Sequence, residues 1–171
     1  MKATNKIDLK NFSVEIRPIE IQDNSRIAKI LRETLLEHGA AKQGTAYFDK
    51  STDHLFEHFQ KPNCAYFVAA INKNIVGGVG IYPTDGLPSG ICELVKMYID
   101  KDFRGFGIGK LLLTQAVKYA KSKYYSAIYL ESMPELDKAV SIYNHMGFKS
   151  LSAPLGNTGH FSCPIWMLME I

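Results

Sequence analysis

The sequence is poor in the patterns that mark disulfide scaffolds, metal centres and membrane spans. Its three cysteines, at positions 64, 92 and 163, are far apart, odd in number and without a Cys-x-x-Cys pair, which argues against a disulfide framework and a cysteine-held metal. No apolar run approaches the roughly 20 residues of a membrane-spanning helix, and residues 1–8 lack the apolar core of a secretion signal. We therefore expect a cytoplasmic protein with reduced thiols, no metal and no membrane partner.

The chain also lacks a strong excess of one charge. Its 20 basic and 17 acidic residues leave a net charge of +3, which is too small to favour nucleic acid as a partner. A length of 171 residues is enough to bury a core, and we see no repeat, low-complexity segment or linker. These features predict one domain over residues 12–171, after a frayed polar terminus of residues 1–11.

Apolar periodicity and turn residues predict an alternation of strands and helices. The predicted order is β-α-α-β-β-β-α-β-α-β-β, a mixed α/β sheet with helices on its faces. The predicted elements, by residue number, are strand 12–18, a helix from 23–25 to 39, a short helix 52–59, strands 65–71, 75–82 and 91–99, helix 110–120, strand 127–131, helix 136–146, and strands 148–151 and 164–169.

The most informative segment is Arg-Gly-Phe-Gly-Ile-Gly-Lys, at residues 104–110. Glycine lets the backbone approach a ligand closely and adopt conformations that other residues avoid. The helix that follows the segment presents unpaired N–H groups and a partial positive charge at its start. The segment therefore predicts a strand, a loop that holds a diphosphate, and a helix.

A dinucleotide-binding turn, a P-loop and a purely structural turn are the other interpretations of this loop. A dinucleotide-binding fold requires Gly-x-Gly-x-x-Gly directly after an early strand, whereas the spacing here is Gly-x-Gly-x-Gly after several strands, although Glu131 lies where a ribose-binding acid would be expected. A P-loop requires Gly-x-x-x-x-Gly-Lys-Ser/Thr, which the sequence does not contain. A purely structural glycine turn stays open, but the arginine and lysine around the glycines favour an anion site.

The pattern Arg104-x-x-Gly107-x-Gly109 resembles the acyl-coenzyme A loop of the GNAT superfamily of N-acetyltransferases. Upstream, Cys-Glu-Leu-Val-Lys-Met-Tyr-Ile at 92–99 is similar to the family's central strand, and Ala-Val-Ser-Ile-Tyr at 139–143, with Gly-Phe at 147–148, is similar to its late helix and next strand. The resemblance covers residues 12–170 and includes the element order. Segments 44–47 and 156–160 also resemble a branch found fused to MarR-type DNA-binding domains, and we find no such module in this sequence.

The resemblance implies acetyl-coenzyme A as the acyl donor. The main chain of Met97, Tyr98 and Ile99 would pair with the pantetheine amides like an added strand, and the loop amides with the helix dipole would hold the pyrophosphate. An asparagine that contacts the cofactor in many relatives is replaced here by Leu136. The loop residues concerned are Arg104, Gly105, Phe106, Gly107, Ile108, Gly109 and Lys110.

The resemblance also gives roles to two side chains in direct acetyl transfer to a primary amine. Glu93 is the candidate base, since its apolar neighbours would raise its pKa; binding of a substrate cation, or pairing with Lys96 or an arginine, is the alternative. Tyr143 matches the family's general acid, and a core aromatic is the alternative. A main-chain N–H near Met97 would stabilise the acyl oxygen. Strand alternation sends Cys92 to the face opposite Glu93, so no acyl-cysteine step is invoked.

Acceptor selectivity in this family comes from the first two helices and the late loop, where Tyr47, Asn157 and His160 are the candidate contacts. The implied partner is a small-molecule or peptide amine, and the sequence does not choose between them. Two other functions stay open: a non-catalytic acyl-coenzyme A sensor, and an interaction domain with a vestigial pocket. A homodimer built through the terminal strands is compatible with the sequence.

Overall fold

The computed structural model describes residues 13–171, so the predicted terminal segment 1–11 and Phe12 lie outside the described residues. The strands and α-helices follow one another in the predicted order. The strands are β1 (Val14–Pro18), β2 (Ala65–Ile71), β3 (Asn74–Tyr82), β4 (Ile91–Ile99), β5 (Ala127–Ser132), β6 (Lys149–Ser150) and β7 (Ile165–Glu170). The α-helices are α1 (Asn24–Glu37), α2 (Leu55–His58), α3 (Ile108–Ser122) and α4 (Asp137–His145).

The strands form one sheet in the order β1-β2-β3-β4-β5-β7-β6. All neighbouring strands in it are antiparallel except β4 and β5. A parallel pair needs a crossover connection, and α3 supplies it. The prediction of a mixed α/β sheet with helices on its faces is confirmed.

The two faces of the sheet are covered by different helices. On one face, α3 buries Ile108, Leu112 and Ala116 at helical spacing, and these pack with Tyr143 of α4 in the larger core cluster. On the other face, α1 and α2 pack on β2 and β3. Leu35 of α1 also reaches the loops before α2 and β7, so this helix holds together the segments that border the site.

The predicted helix 52–59 is divided in the structure. A 3-10 turn, Lys50–Asp53, precedes α2, and the backbone leaves helical geometry at His54. The buried Thr52 hydroxyl donates to the Ala46 carbonyl at 2.7 Å, while the Asn24 side chain accepts from the Phe56 N–H at 2.8 Å. Because these anchors belong to different segments, they orient the two turns independently.

The three cysteines are buried free thiols. Cys92 is fully buried, as predicted, and burial raises the pKa of its thiol to about 12. Over residues 13–171, no helix combines the length and the apolar character that a membrane crossing would require.

Candidate active site

The parallel strands β4 and β5 separate partway along their length. They are paired only where Ile91 to Glu93 face Ala127 to Tyr129. Beyond this point β4 continues beside β3, and β5 continues beside β7. A cleft therefore opens between the two strands, with the free edge of β4 along one side.

A β-bulge lies in the part of β4 that borders this cleft. The register with β3 shifts between Gly78 and Gly80, and Lys96 has a left-handed backbone with a φ of 50°. The Tyr66 hydroxyl donates to the Lys96 carbonyl at 2.8 Å. The Lys96 carbonyl therefore has a hydrogen-bond partner at the point where the bulge interrupts the pairing of β4 with β3.

The main chain of Met97 and Ile99 faces the cleft. The Asp100 N–H donates to the Val76 carbonyl of β3 at 2.8 Å, and hydrogen-bonded positions alternate along an antiparallel strand. The main-chain N–H and carbonyl groups of Ile99 and Met97 therefore point away from β3. The Ile99 carbonyl accepts a hydrogen bond from Nε of Arg104 at 2.9 Å, which ties the end of β4 to the start of the glycine loop.

The glycine loop enters α3 with its amides unengaged. Gly105 and Gly107 have φ angles of 84° and 81°, in the left-handed region that a Cβ disfavours. Within residues 13–171, no main-chain carbonyl accepts a hydrogen bond from the N–H groups of residues 105–110, and the Leu111 N–H opens α3 by donating to Gly107. Unpaired amides at the positive end of a helix suit an anion.

The Arg104 side chain is bound to α1. Its guanidinium contacts the Glu37 carboxylate at 2.9 Å and the Thr34 hydroxyl at 3.1 Å. The hydrogen bond from Arg104 lowers the pKa of Glu37. These two contacts hold the start of the glycine loop against α1.

Glu93 is a buried carboxyl at the point where β4 and β5 separate. The residue is only 3% exposed. Burial raises the pKa of Glu93 to about 7, against a hydrogen bond from the Thr84 hydroxyl and the positive charge of His160, and with a contribution from Glu131. The prediction that this glutamate is desolvated is confirmed. A carboxyl with such a pKa can take up a proton near neutral pH, as a general base must.

His160 and Asp49 lie beside Glu93 although they come from distant segments. Nε2 of His160 is 3.1 Å from Oδ2 of Asp49, and Lys96 forms an ion pair with the same carboxylate. Burial alone would raise the pKa of Asp49, but the hydrogen bonds and charges of His160 and Lys96 outweigh it and lower the pKa to about 2. Burial alone would lower the pKa of His160. The hydrogen bond to Asp49 outweighs burial, so the pKa of His160 is raised.

Glu131 of β5 completes this group. It accepts hydrogen bonds from the hydroxyls of Tyr129 and Thr158, both at 2.7 Å. One carboxylate oxygen of Glu93, one of Glu131 and one ring nitrogen of His160 all lie within 4.8 Å of one another. Each of the three side chains also bonds to another protein side chain, so their grouping is explained without an ion.

A cavity of about 340 Å³ opens onto Glu93. Of the three predicted acceptor contacts, only His160 lies in its wall. Tyr47 packs edge-on against Phe48, and Asn157 is exposed. The structure therefore brings His160 to Glu93, but neither Tyr47 nor Asn157. The wall consists of Asp49, Lys50, Ser51, His58, Tyr82, Thr84, Glu93, Val95, Lys96, Thr158 and His160.

A larger cavity of about 570 Å³ lies between α1 and the segment 100–104. Its charged walls include the ion pairs of Arg26 with Asp100 and of Arg104 with Glu37. These four side chains are already paired with each other, so they offer little charge to a ligand.

Tyr143 lies on α4 and is buried in the core. The residue is 7% exposed, and its ring packs against Phe148 with centroids 5.7 Å apart. Burial raises the pKa of Tyr143, so the phenol keeps its proton at neutral pH. Among the described residues we find no hydrogen-bond partner of this hydroxyl. A phenol without such a partner can donate to a bound group.

Sequence analysis missed Thr84, and it missed the places that Thr158 and Glu131 take in this site. Glu131 could have been found from the strands. Since Glu93 pairs with Tyr129 in parallel register, strand alternation places Glu131 on the same side of the sheet. Thr84 and Thr158 lie in loops, where no periodicity in the sequence marks them.

Comparison with known proteins identifies the family. The model of the acetyltransferase (GNAT) family matches residues 26–148. The uncharacterized N-acetyltransferase YjgM of Escherichia coli (strain K12) is 37% identical over 157 residues, which cover 91% of this chain and 94% of that protein. An uncharacterized N-acetyltransferase of Schizosaccharomyces pombe is 24% identical over 147 residues, covering 83% of this chain and 86% of that protein.

Solved structures of acetyltransferases have the same fold. A GNAT-family acetyltransferase from Staphylococcus aureus Mu50 aligns with a TM-score of 0.80 at 19% identity, over 92% of this chain and 99% of that one. The PaiA N-acetyltransferase of Thermoplasma acidophilum, solved with coenzyme A, aligns with a TM-score of 0.70 at 20% identity, over 93% and 99%. Taken with the family match and the Escherichia coli relative, they show that this chain belongs to the GNAT family and is an N-acetyltransferase.

Proposed function

We propose that this protein transfers the acetyl group of acetyl-coenzyme A directly to a primary amine within a ternary complex. One observation carries the proposal: a single cleft has unengaged loop amides near one end and a buried carboxyl with a pKa of about 7 at the other. The coenzyme A bound to the Thermoplasma acidophilum relative supports the choice of donor.

The donor side of the cleft is built from main chain. The free edge of β4 would pair with the pantetheine amides through the main chain of Met97 and Ile99, as an added strand does. The main chain of Tyr98, which the sequence also suggested for this role, faces β3 instead. The N–H groups of residues 105–110 would hold the pyrophosphate, helped by the dipole of α3. Arg104 contributes by anchoring the start of this loop to Glu37. The two left-handed glycines turn the backbone so that successive amides are free to bind.

The acceptor arrives as an ammonium ion, because an alkylamine with a pKa of about 10.4 is protonated at neutral pH. Glu93 removes one proton, and the freed nitrogen lone pair forms the new N–C bond as the C–S bond breaks. Tyr143 gives its proton to the departing sulfur and regains one from the acylated nitrogen. Of the three ammonium protons, one leaves through Glu93, one restores Tyr143 and one stays on the amide product.

The acyl oxygen gains negative charge during this attack. The Met97 N–H, which points into the cleft, is the donor proposed to stabilise it, since a fixed main-chain dipole needs no reorganisation during the reaction. The bulge at Lys96 helps to aim this group, because it resets the register of β4 just before Met97.

The acceptor site is the cavity of about 340 Å³ beside Glu93, which suits a small amine or the amino end of a peptide. His160 lies in its wall and is proposed to border the acceptor. Tyr47 and Asn157 lie outside the wall, and we propose that they contact only acceptors that extend beyond the cavity.

The test is the release of coenzyme A thiol from acetyl-coenzyme A in the presence of a panel of primary amines. Tertiary amines of matched size serve as controls, because they have no N–H to replace. The proposal predicts saturable thiol release with at least one primary amine, and an equal amount of N-acetyl product by mass spectrometry. Thiol release that does not depend on any amine would contradict it.

A further inference from the structure

Two carboxyl groups meet at the acceptor end of the cleft. Oxygens of Glu93 and Glu131 lie within 4.8 Å of each other, and Glu93 is nearly inaccessible to water. Like charges this close disfavour joint ionisation, so each tends to keep the other protonated. A base that must be a carboxylate when the amine arrives therefore needs a nearby positive charge.

His160 is the group placed to supply that charge. One of its ring nitrogens lies within the same 4.8 Å of both carboxyl groups, and its Nε2 is bonded to Asp49. Asp49 favours the protonated ring, because an imidazolium beside a carboxylate is stabilised by hydrogen bond and charge together.

The loop that carries His160 is fixed at several points. The His160 N–H donates to the Thr158 hydroxyl at 3.1 Å, and that hydroxyl donates to Glu131. The Ser162 hydroxyl donates to the Gln43 carbonyl at 2.7 Å. These bonds hold the ring beside Glu93 rather than in solvent.

The charged and titratable groups around Glu93 come from every neighbouring element. Those that favour its carboxylate form are His160 and Lys96, and the one that opposes it most directly is Glu131. Asp49 is paired with both of these cations. The remaining titratable groups of this part of the structure are Tyr129 of β5, Cys92 of β4, Cys163 before β7, His58 of α2, Lys50 before α2 and Tyr82 of β3.

We propose that His160, held by Asp49, is a positioning residue that keeps Glu93 available as a carboxylate by offsetting the charge of Glu131. This role rests on the proposed function of Glu93 as the base. It differs from a substrate contact, because His160 acts on Glu93 before any acceptor is bound.

Replacing Asp49 distinguishes two ways in which this residue could act on Glu93. If Asp49 acted on Glu93 only by its own charge, removing that negative charge would lower the pKa of Glu93. If it acts through His160, removing it lets the buried ring lose its proton, and the pKa of Glu93 rises. The two mechanisms therefore predict shifts of opposite sign for Asp49→Asn.

The experiment is a titration of the Glu93 side-chain carboxyl by carbon-13 NMR in protein labelled at glutamate. The signal is assigned by its loss in Glu93→Gln, and the method needs neither acceptor nor cofactor. His160→Gln and Asp49→Asn should each raise the Glu93 midpoint, by about one pH unit for removal of a charge at this distance. His145→Gln, which removes an exposed histidine from α4, is the matched control and should leave the midpoint unchanged.

A Glu93 midpoint that is unchanged or lowered in His160→Gln would overturn the inference, as would a lowered midpoint in Asp49→Asn. Either variant suffices if the other fails to fold. Failure of the proposed function is a separate result. A wild-type protein that acetylates amines while His160→Gln leaves the midpoint unchanged keeps the function and loses only this role for His160.

Discussion

The donor and acceptor sides of the cleft are built in different ways. The donor side uses main-chain groups from one continuous stretch, from Met97 at the bulge of β4 to Lys110 in the first turn of α3. The acceptor side uses side chains from separate segments, including Asp49, Glu93 and His160. A contiguous main-chain site can be shared across a family, whereas a composite side-chain site can vary with the acceptor.

The largest expected effect comes from breaking the acceptor side at Glu93. Glu93→Gln removes the proton acceptor while keeping the shape of the side chain. We expect amine-dependent turnover to fall by about 10² to 10⁴, the usual contribution of general base catalysis, with little change in affinity for acetyl-coenzyme A. Steady-state thiol release and cofactor titration measure the two quantities.

Glu33→Gln is the matched control for this variant, because Glu33 is an exposed residue of α1. It should keep wild-type turnover. Full turnover of the Glu93→Gln protein would show that Glu93 is not the base.

The next effect concerns Tyr143, which is proposed to act on the departing sulfur. Tyr143→Phe keeps the packing against Phe148 and removes only the hydroxyl. We expect kcat to fall by roughly 10², with the melting temperature and cofactor affinity nearly unchanged. An unchanged kcat would mean that Tyr143 is a core aromatic, which is the alternative that the sequence left open.

The pH dependence of kcat/KM tests the proposed base on the acceptor side of the cleft. Glu93 has a pKa of about 7 and must be unprotonated to accept a proton, so activity should rise with pH. Below pH 7 the rise should approach tenfold per pH unit, and above it the curve should level off. In Glu93→Gln this acid limb should disappear from the residual activity, and its persistence there would assign the limb to another group.

The smallest effect is expected from changing the donor side at one glycine. Gly107→Ala forces a Cβ into a left-handed conformation, which costs about 1–2 kcal/mol and favours a rearranged loop with misdirected amides. We expect about tenfold weaker binding of acetyl-coenzyme A, measured by cofactor titration.

Gly39→Ala is the matched control for that change. Gly39 also has a positive φ, 66° against 81° at Gly107, and an added Cβ would have open space at both positions. Gly39 lies beyond the end of α1, so the substitution should lower stability without changing cofactor affinity. If the two variants lose equal affinity for acetyl-coenzyme A, the weaker binding of Gly107→Ala comes from general destabilisation.

The same contrast explains how much could be predicted from the sequence. The element order and the glycine loop were predictable, because periodicity and glycine spacing are local properties. The burial of Glu93 was predictable because its apolar neighbours are adjacent in the chain. The approach of Asp49 and Thr158 to this glutamate was not, since it depends on tertiary packing. The cytoplasmic location, the homodimer and the likeness to the MarR-fused branch stay predictions.

The most direct test of the central claim is thermal unfolding with and without acetyl-coenzyme A, with NAD as the control. At 100 times its Kd, a ligand that binds only the folded state adds about 2.7 kcal/mol, or roughly 5–10 °C for a domain of this size. We predict a shift of this order with acetyl-coenzyme A and none with NAD. A folded protein that shows no shift with acetyl-coenzyme A, or the same shift with NAD, would contradict the assignment of the cleft.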